Sequence, residues 1–454
     1  MEKNQEIELI ITGTTADGQG VGKYEGMAVF VPFAAEGDIL RVKIVKVLKS
    51  YCYGIIMDII SPSPNRNPED CGVFGKCGGC VYRHINYEAE CSVKYDRVAD
   101  ALKRLGGIDI VPQPIIPAIS AYEYRNKAQY PVGVNREGRP VIGFYAQRSH
   151  RIVENMDCRL HPKIFNDVLE AAKQWIEYTK VSIYDEQSLT GLLRHIYIRM
   201  AKATGEIMVV IVINGDSLPE SEMLVELLKK AVGESLKSVQ ININKKNTNV
   251  ILGDECKTLY GEDYIIDILC GVRIRVSPLS FYQVNRDMAE ILYQKVAEYA
   301  QPEGKVVLDL YCGTGSIGLS MAKSAKQIIG VEIVEQAVED ARINARINGI
   351  ENAKFLAADA AEAVRMLWEE GIKPDVIVVD PPRKGCSPEL LNIIADSFTP
   401  ETFVYVSCDP ATLARDLKLM EQMGYKTQSV TPIDLFPRTA HVECVVLMTN
   451  VKNK

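Results

Sequence analysis

In the last third of the chain, four apolar, β-branched runs each end at a residue able to do chemistry. Lys305 to Tyr311 carries Asp309, Gln327 to Val331 stops at Glu332, Asp375 to Val379 stops at Asp380, and Phe403 to Ser407 stops at Cys408. Helical patterns separate these runs, and strands that alternate with helices dictate an α/β layer built on a parallel sheet. Such sheets bind ligands beyond the carboxyl ends of their strands, so Asp309, Glu332, Asp380 and Cys408 are expected along one edge.

Two local patterns sharpen that edge. Gly313-Thr-Gly315-Ser-Ile-Gly318 follows the first run. A G-x-G-x-x-G turn with an acidic residue at the next strand end fits a nucleoside or dinucleotide cofactor: the glycines allow close backbone approach and Glu332 can hold ribose hydroxyls. The pattern does not separate NAD from other cofactors. Cys408 is followed at once by Asp409-Pro410. Asp is a good N-cap and Pro suits the first helical position, so Ala411 to Met423 is expected to be helical. A cysteine at a helix start is expected to favour thiolate over thiol. A buried structural cysteine is the ordinary alternative.

At 454 residues the chain needs several cores. Its 47% hydrophobic and 24% charged residues are those of a soluble globular protein. The start, Met-Glu-Lys-Asn-Gln-Glu, has no apolar signal core, and no run approaches the ~20 apolar residues of a membrane span. A cytoplasmic protein with no membrane partner and no obligate protein partner is expected. The net charge of −7 argues against nucleic acid only until its distribution is considered. From Arg275 onward there are 19 Lys and Arg against 24 Asp and Glu, whereas Arg125 to Arg159 holds 7 against 3.

Upstream, residues 1–62 read as a small OB-like β-barrel. Four strands are expected, at Ile7–Ile11, Met27–Pro32, Asp38–Leu48 and Tyr51–Ile60, with Asp17 to Gly22 as a turn. Arg41, Lys43, Lys46 and Lys49 beside Tyr51 and Tyr53 suit single-stranded nucleic acid, or else form a solvated strand face. A Ser/Pro/Asn linker leads into Cys71-Gly-Val-Phe-Gly-Lys-Cys77-Gly-Gly-Cys80. Three cysteines so close point to a metal or cluster site, with iron–sulfur ahead of structural zinc and a redox dithiol last. The fourth ligand is expected at Cys158, in a loop, rather than Cys91, on the expected helix Tyr87 to Leu105. Residues 63–274 form a central α+β domain, whose Tyr122–Arg151 stretch is a basic, aromatic hairpin or meander. Residues 275–454 form the Rossmann-like domain.

Together, Phe281-Tyr-Gln283-Val-Asn285, Asp309-Leu-Tyr311-Cys-Gly313-Thr-Gly315, Asp380-Pro-Pro-Arg383, Ser407-Cys408-Asp409-Pro410 and His441-Val-Glu443 resemble the RNA uracil-C5-methyltransferase family that uses S-adenosylmethionine. The resemblance spans nearly the whole chain. It implies Cys408 as nucleophile, Glu443 as base, and cofactor contacts at Gln283, Tyr311, Glu332 and Asp380. Ser316 stands where the family often has Asn. The family's 23S ribosomal RNA members also carry an N-terminal RNA-binding barrel, the TRAM domain, and a [4Fe-4S] cluster on four cysteines, matched by Cys71, Cys77, Cys80 and Cys158. The resemblance thus implies methylation of uridine C5 in RNA, with ribosomal RNA ahead of tRNA, through a covalent bond from cysteine to C6. An NAD-dependent oxidoreductase with a redox cluster gives no role to Asp380-Pro-Pro-Arg383 or to Cys408 with Glu443. A non-catalytic RNA-binding protein would not need them.

Overall fold

The computed structural model describes residues 1–68 and 70–451. None of its helices is long and apolar enough to cross a membrane. The N-terminal strands close a five-stranded barrel in the order Glu6–Thr14, Gln19–Tyr24, Met27–Pro32, Tyr51–Ser61, Ile39–Val47. The expected turn at Asp17 to Gly22 is mostly strand, because glycine here answers to crowding rather than to turning. A Cβ on Gly22 would lie 2.3 Å from the Ile10 carbonyl, and one on Gly20 2.7 Å from Ala34. The linker is also better fixed than its composition implies. Asp38, fully buried, accepts from the guanidinium of Arg66 and from the N–H groups of Ala35 and Ser63.

A seven-stranded sheet follows, in the order Glu255–Gly261, Leu236–Ile243, Ile207–Ile213, Leu193–Met200, Lys127–Val134, Pro140–Tyr145, Ile152–Glu154. Its last three strands form the basic meander. The strand Ile207–Ile213 is apolar throughout, and its alternation explains why. Ile207, Val209, Ile211 and Ile213 face the helices Ile164–Thr179 and Ser221–Val232, while Met208 and Val210 join the core of the C-terminal domain. A strand covered on both faces has no polar side to show. The hairpin Ile265–Leu269 with Val272–Val276 packs into that same C-terminal core, so the expected break at 274/275 falls on its second strand.

The C-terminal sheet runs Ala353–Ala357, Gln327–Glu332, Val306–Leu310, Val376–Val379, Thr402–Ser407, Glu443–Asn450, Tyr425–Ile433. Its first five strands are parallel, and Glu443–Asn450 runs antiparallel to both of its neighbours, Thr402–Ser407 and Tyr425–Ile433. Strand order reverses between Val306–Leu310 and Val376–Val379, which opens a crevice at their carboxyl ends. The helix Arg286–Ala300, capped by Asn285, packs beneath it against Thr402–Ser407 and Glu443–Asn450.

One buried ionic group ties the first quarter of the chain to the last. The helix Tyr87–Asp100 presents Glu90 and Lys94 on one face. Lys94 Nζ donates to Glu90 (2.7 Å), to Asp434 (2.8 Å) and to the Phe436 carbonyl (3.2 Å). Glu90 in turn accepts from the backbone N–H and guanidinium of Arg438, 2.6 and 3.3 Å away. All four side chains are buried. Removing one partner of such a group strands the others without compensation. Lys94→Met is therefore expected to destabilise the protein by about 3–5 kcal/mol, read as a lower midpoint of urea unfolding; an unchanged midpoint would contradict this.

Candidate active site and cysteine centre

The strand ends deliver their residues into one cavity of ≈ 1240 Å³. Gln283, Tyr311, Glu332, Asp380, Cys408 and Glu443 all line it, with Arg383, Phe436 and His441. Asp309 lies just behind, fully buried, one carboxylate oxygen accepting from the Gly318 N–H at 2.9 Å and the other without a partner among the described residues. The glycine turn fits its expected use. Tyr311, Gly313 and Gly315 all have positive φ, at 64°, 53° and 79°. For Tyr311, a side chain in the left-handed region stores strain of the kind found at functional sites. A Cβ on Gly318 would sit 3.0 Å from the Asp309 carboxylate, so the third glycine lets the helix seat on the strand. Glu332 is aimed by two backbone groups, Gly313 N–H at 3.2 Å and Val334 N–H at 3.0 Å. That leaves its outer lone pairs facing the cavity.

Crowded carboxyls in a closed space resist ionisation. Burial raises Asp380 to about 7. Burial and then the nearby charges of Asp380 and Glu332 raise Asp309 to about 7, against the Gly318 hydrogen bond. Glu443, 6% exposed, is pushed up to about 8 by burial and by Asp380, with Arg383 pulling the other way. A carboxyl in that range can exchange a proton near neutrality.

The expectation for Cys408 needs correction. The helix Pro410–Gln422 does start just after it, but Asp409 takes the free N–H groups of Ala411 and Thr412, at 2.9 and 3.0 Å. The thiol, half-buried beside Glu443 and Asp380, is pushed up to about 11, with Arg383 opposing. Near neutrality Cys408 is therefore held as a thiol. His441, whose Nε2 lies 3.2 Å from Arg383, is held down to about 4 by burial and by that guanidinium, so it is neutral.

The cysteine segment forms the far wall. Gly78, Gly79 and Val81 line the large cavity, and behind them Cys71, Cys77, Cys80 and Cys158 surround a second space of ≈ 260 Å³. Cys91 is elsewhere, buried on its helix. Among the described residues no three His, Cys, Asp or Glu side chains are arranged to hold a metal ion. Around that space stand Arg125, Lys127 and Arg159, none with a carboxylate partner among the described residues, and Arg83, which Asp70 holds. Burial and the charges of Arg199 and Arg125 hold Lys127 down to about 8.

Comparisons with known proteins bear on the family to which the chain belongs. Residues 222–451 match the tRNA (uracil-5-)-methyltransferase family, and residues 1–57 match the TRAM domain. An uncharacterized RNA methyltransferase of Clostridium tetani is 44% identical, the match covering 100% of this chain and 98% of that one. A second, from Halalkalibacterium halodurans, is 43% identical over 99% and 98%. The chain belongs to the RNA uracil-5-methyltransferase family. Among solved structures, the tRNA (uracil-54, C5)-methyltransferase of Pyrococcus abyssi, crystallised with S-adenosyl-L-homocysteine, superposes with a TM-score of 0.79 at 29% identity, covering 97% of this chain and 99% of that one. The protein is an RNA methyltransferase.

Several residues that shape the site gave no sequence signal. Asn126 of the central sheet donates to the Gln283 carbonyl (2.9 Å), and Arg199, buried, donates to the carbonyls of Ser277 and Ser280. Asp416 accepts from the Cys386 N–H and the Tyr405 hydroxyl, fixing the loop after Asp380-Pro-Pro-Arg383. Each joins segments far apart in sequence, which no local pattern announces.

The Glu443 shift carries a stability consequence. Its folded pKa, about 8, lies above the ordinary 4.5, so the folded state holds the proton more tightly. That stability is complete below about 4.5 and is lost as pH rises toward about 8, at about 1.4 kcal/mol per pH unit as an upper bound. Glu443→Gln is expected to gain in melting temperature relative to the parent between pH 5.5 and 8.5. A difference that stays constant with pH would show that Glu443 is not shifted.

Proposed function

We propose that the protein methylates C5 of a uridine in RNA, taking the methyl group from S-adenosylmethionine and passing through a covalent bond between Cys408 and C6 of the base. The observation that carries this reading is a thiol, Cys408, and a buried carboxyl raised to about 8, Glu443, sharing one cavity with a glycine turn and an acidic strand end. When bound, S-adenosylmethionine supplies an electrophilic methyl group on a cationic sulfonium. Glu332 would hold the ribose hydroxyls, while Gln283, Tyr311 and Asp380 line the same volume, where Asp380 would hold either the uracil edge or the cofactor amine. The Pyrococcus abyssi enzyme, crystallised with S-adenosyl-L-homocysteine, supports this choice of cofactor.

Uracil C5 is too weak a nucleophile to be methylated unaided. Cys408 first gives up its proton to solvent; addition of the thiolate Sγ to C6 then forms the S–C6 bond and moves the double-bond electrons into an enolate over C5 and C4, which makes C5 nucleophilic. After methylation Glu443 takes the C5 proton, the C–H pair restores the C5–C6 double bond, and the S–C6 pair returns to Cys408. Burial and then the charges of Glu443 and Asp380 hold Cys408 up, and Glu443, itself raised to about 8, must release its proton before it can take the one at C5. A base in folded RNA must leave its stack to reach this depth.

Cys71, Cys77, Cys80 and Cys158 are proposed to hold a [4Fe-4S] cluster. Support comes from their shared cavity and from Arg125, Lys127 and Arg159 around it, cations without a carboxylate partner among the described residues, which suit an anionic cluster. The barrel is proposed to bind the RNA. Phe30, Tyr51 and Tyr53 cluster there with ring centroids 5.5–5.9 Å apart, and Lys46 pairs with Tyr53 across the strands. The barrel and four cysteines favour 23S ribosomal RNA. The P. abyssi enzyme, named a tRNA (uracil-54, C5)-methyltransferase and superposing over 97% of this chain, supports the second reading, a tRNA uridine. Mapping 5-methyluridine in both RNAs from a cytoplasmic extract of a strain lacking the protein separates the two.

Cys408→Ala is expected to abolish methyl transfer and any covalent RNA adduct while S-adenosylmethionine still binds; an active variant would refute the mechanism. Glu443→Gln is expected to accumulate protein–RNA complex, seen as a retarded band on a denaturing gel. Slow transfer without that band would remove Glu443 as the base. Protein purified without oxygen is expected to absorb near ~400 nm and to contain iron, whereas stoichiometric zinc without iron would exclude the cluster.

A further inference from the structure

Residues 436–441 form the wall of the cavity that leads directly into Glu443, and they have little regular structure of their own. Their internal bonds come from Thr439, whose N–H and hydroxyl both donate to the Phe436 carbonyl, and from the weak bond of His441 N–H to the Thr439 hydroxyl at 3.3 Å. Arg438, in the middle, has φ of 68°, a strained setting for a non-glycine residue. What holds the segment comes from elsewhere in the chain. Lys94 Nζ reaches the Phe436 carbonyl, and one turn further along the same helix Arg97 Nη1 donates to the Ala440 carbonyl at 2.5 Å. The other arm of that guanidinium lies 4.0 Å from the carboxylate of Asp409, the residue after Cys408. Arg97 thus spans the two pieces of backbone that carry the thiol and the carboxyl, from a helix outside the C-terminal domain. Its side chain is 24% exposed and stands outside the buried group of Glu90, Lys94, Asp434 and Arg438.

We propose that Arg97 is a positioning residue for the resolution step: it straps residues 436–441 in place and so keeps Glu443 aimed at C5 of the Cys408-bound base. This rests on the proposed roles of Cys408 and Glu443. Lys94 is unsuited to the test because it belongs to the buried ionic group, whereas Arg97 can be changed with that group intact. A charge-assisted bond to a carbonyl is directional. Its loss lets the wall shift by a fraction of an ångström to an ångström, a displacement able to cost roughly 10²-fold in rate. Lysine at this position keeps a cationic donor for the Ala440 carbonyl.

The test compares full-length Arg97→Ala and Arg97→Lys with the parent and a Cys408→Ala control. The substrate is a 23S rRNA or tRNA transcript that the parent methylates, made with uridine or with 5-fluorouridine. Fluorine at C5 leaves no proton to remove, so the second transcript reads cysteine attack and methyl transfer without the base. Arg97→Ala is expected to lose about 10–100-fold in kcat on the uridine transcript, to build up covalent RNA, and to trap the fluorinated transcript at the parent's rate. Its affinity for S-adenosylmethionine and its melting temperature stay unchanged, and Arg97→Lys recovers most of the loss. The proposal is overturned if Arg97→Ala turns over normally. It is equally overturned if trapping slows in step with turnover, or if cofactor affinity and melting temperature fall with kcat. An active Cys408→Ala would instead bring down the reading of the site itself. A normal Arg97→Ala beside a dead Cys408→Ala would sink the strap alone.

Discussion

Glu90, Lys94, Asp434 and Arg438 share a space from which water is excluded, and the placement of the active site follows from their balance. Two carboxylates face two cations, joined by bonds of 2.6–3.3 Å. Apolar replacements of matched volume would often be as stable, because desolvation offsets much of the attraction. What the ionic group adds is a single permitted arrangement: a carboxylate with no cation beside it is costly, so register errors between this helix and the loop are penalised. Tyr87, which donates to Asp434, and the N–H groups of Val81 and Tyr82, which donate to the Arg438 carbonyl, extend the same junction. Through it the cysteine segment, the helix Tyr87–Asp100 and the approach to Glu443 form one continuous wall.

Behind that wall the cavity is a place of low polarity. Burial raises Glu443, Asp380 and Asp309 together, and Asp380 makes both Glu443 and Asp309 harder to ionise. Burial, then Glu443 and Asp380, oppose the thiolate of Cys408.

Much of this was legible in the sequence, and the failures have physical causes. Buried parallel strands cannot hide their apolar runs, so the C-terminal sheet and the residues at its strand ends could be read directly. The cysteine spacing pointed to a shared centre, and Cys71, Cys77, Cys80 and Cys158 do line one space. Gly20 and Gly22 misled because a glycine needed for close packing inside a barrel looks the same as one needed for a turn. Cys408 misled because the helix end that should have lowered it is capped by its own neighbour, Asp409. Glu90 and Lys94 are readable as an i, i+4 pair, but nothing local says that Asp434 and Arg438, more than 300 residues away, complete it. Arg97 and Asn126 are of the same kind.

The central claim is that Cys408 carries the base. Trapping the enzyme on 5-fluorouridine RNA, digesting both chains and sequencing the modified peptide by mass spectrometry tests it most directly. The account predicts one cross-linked peptide, with a methylated fluorouracil attached at Cys408. A cross-link at any other cysteine, or methyl transfer to ordinary RNA with no cross-link to the fluorinated one, would contradict it.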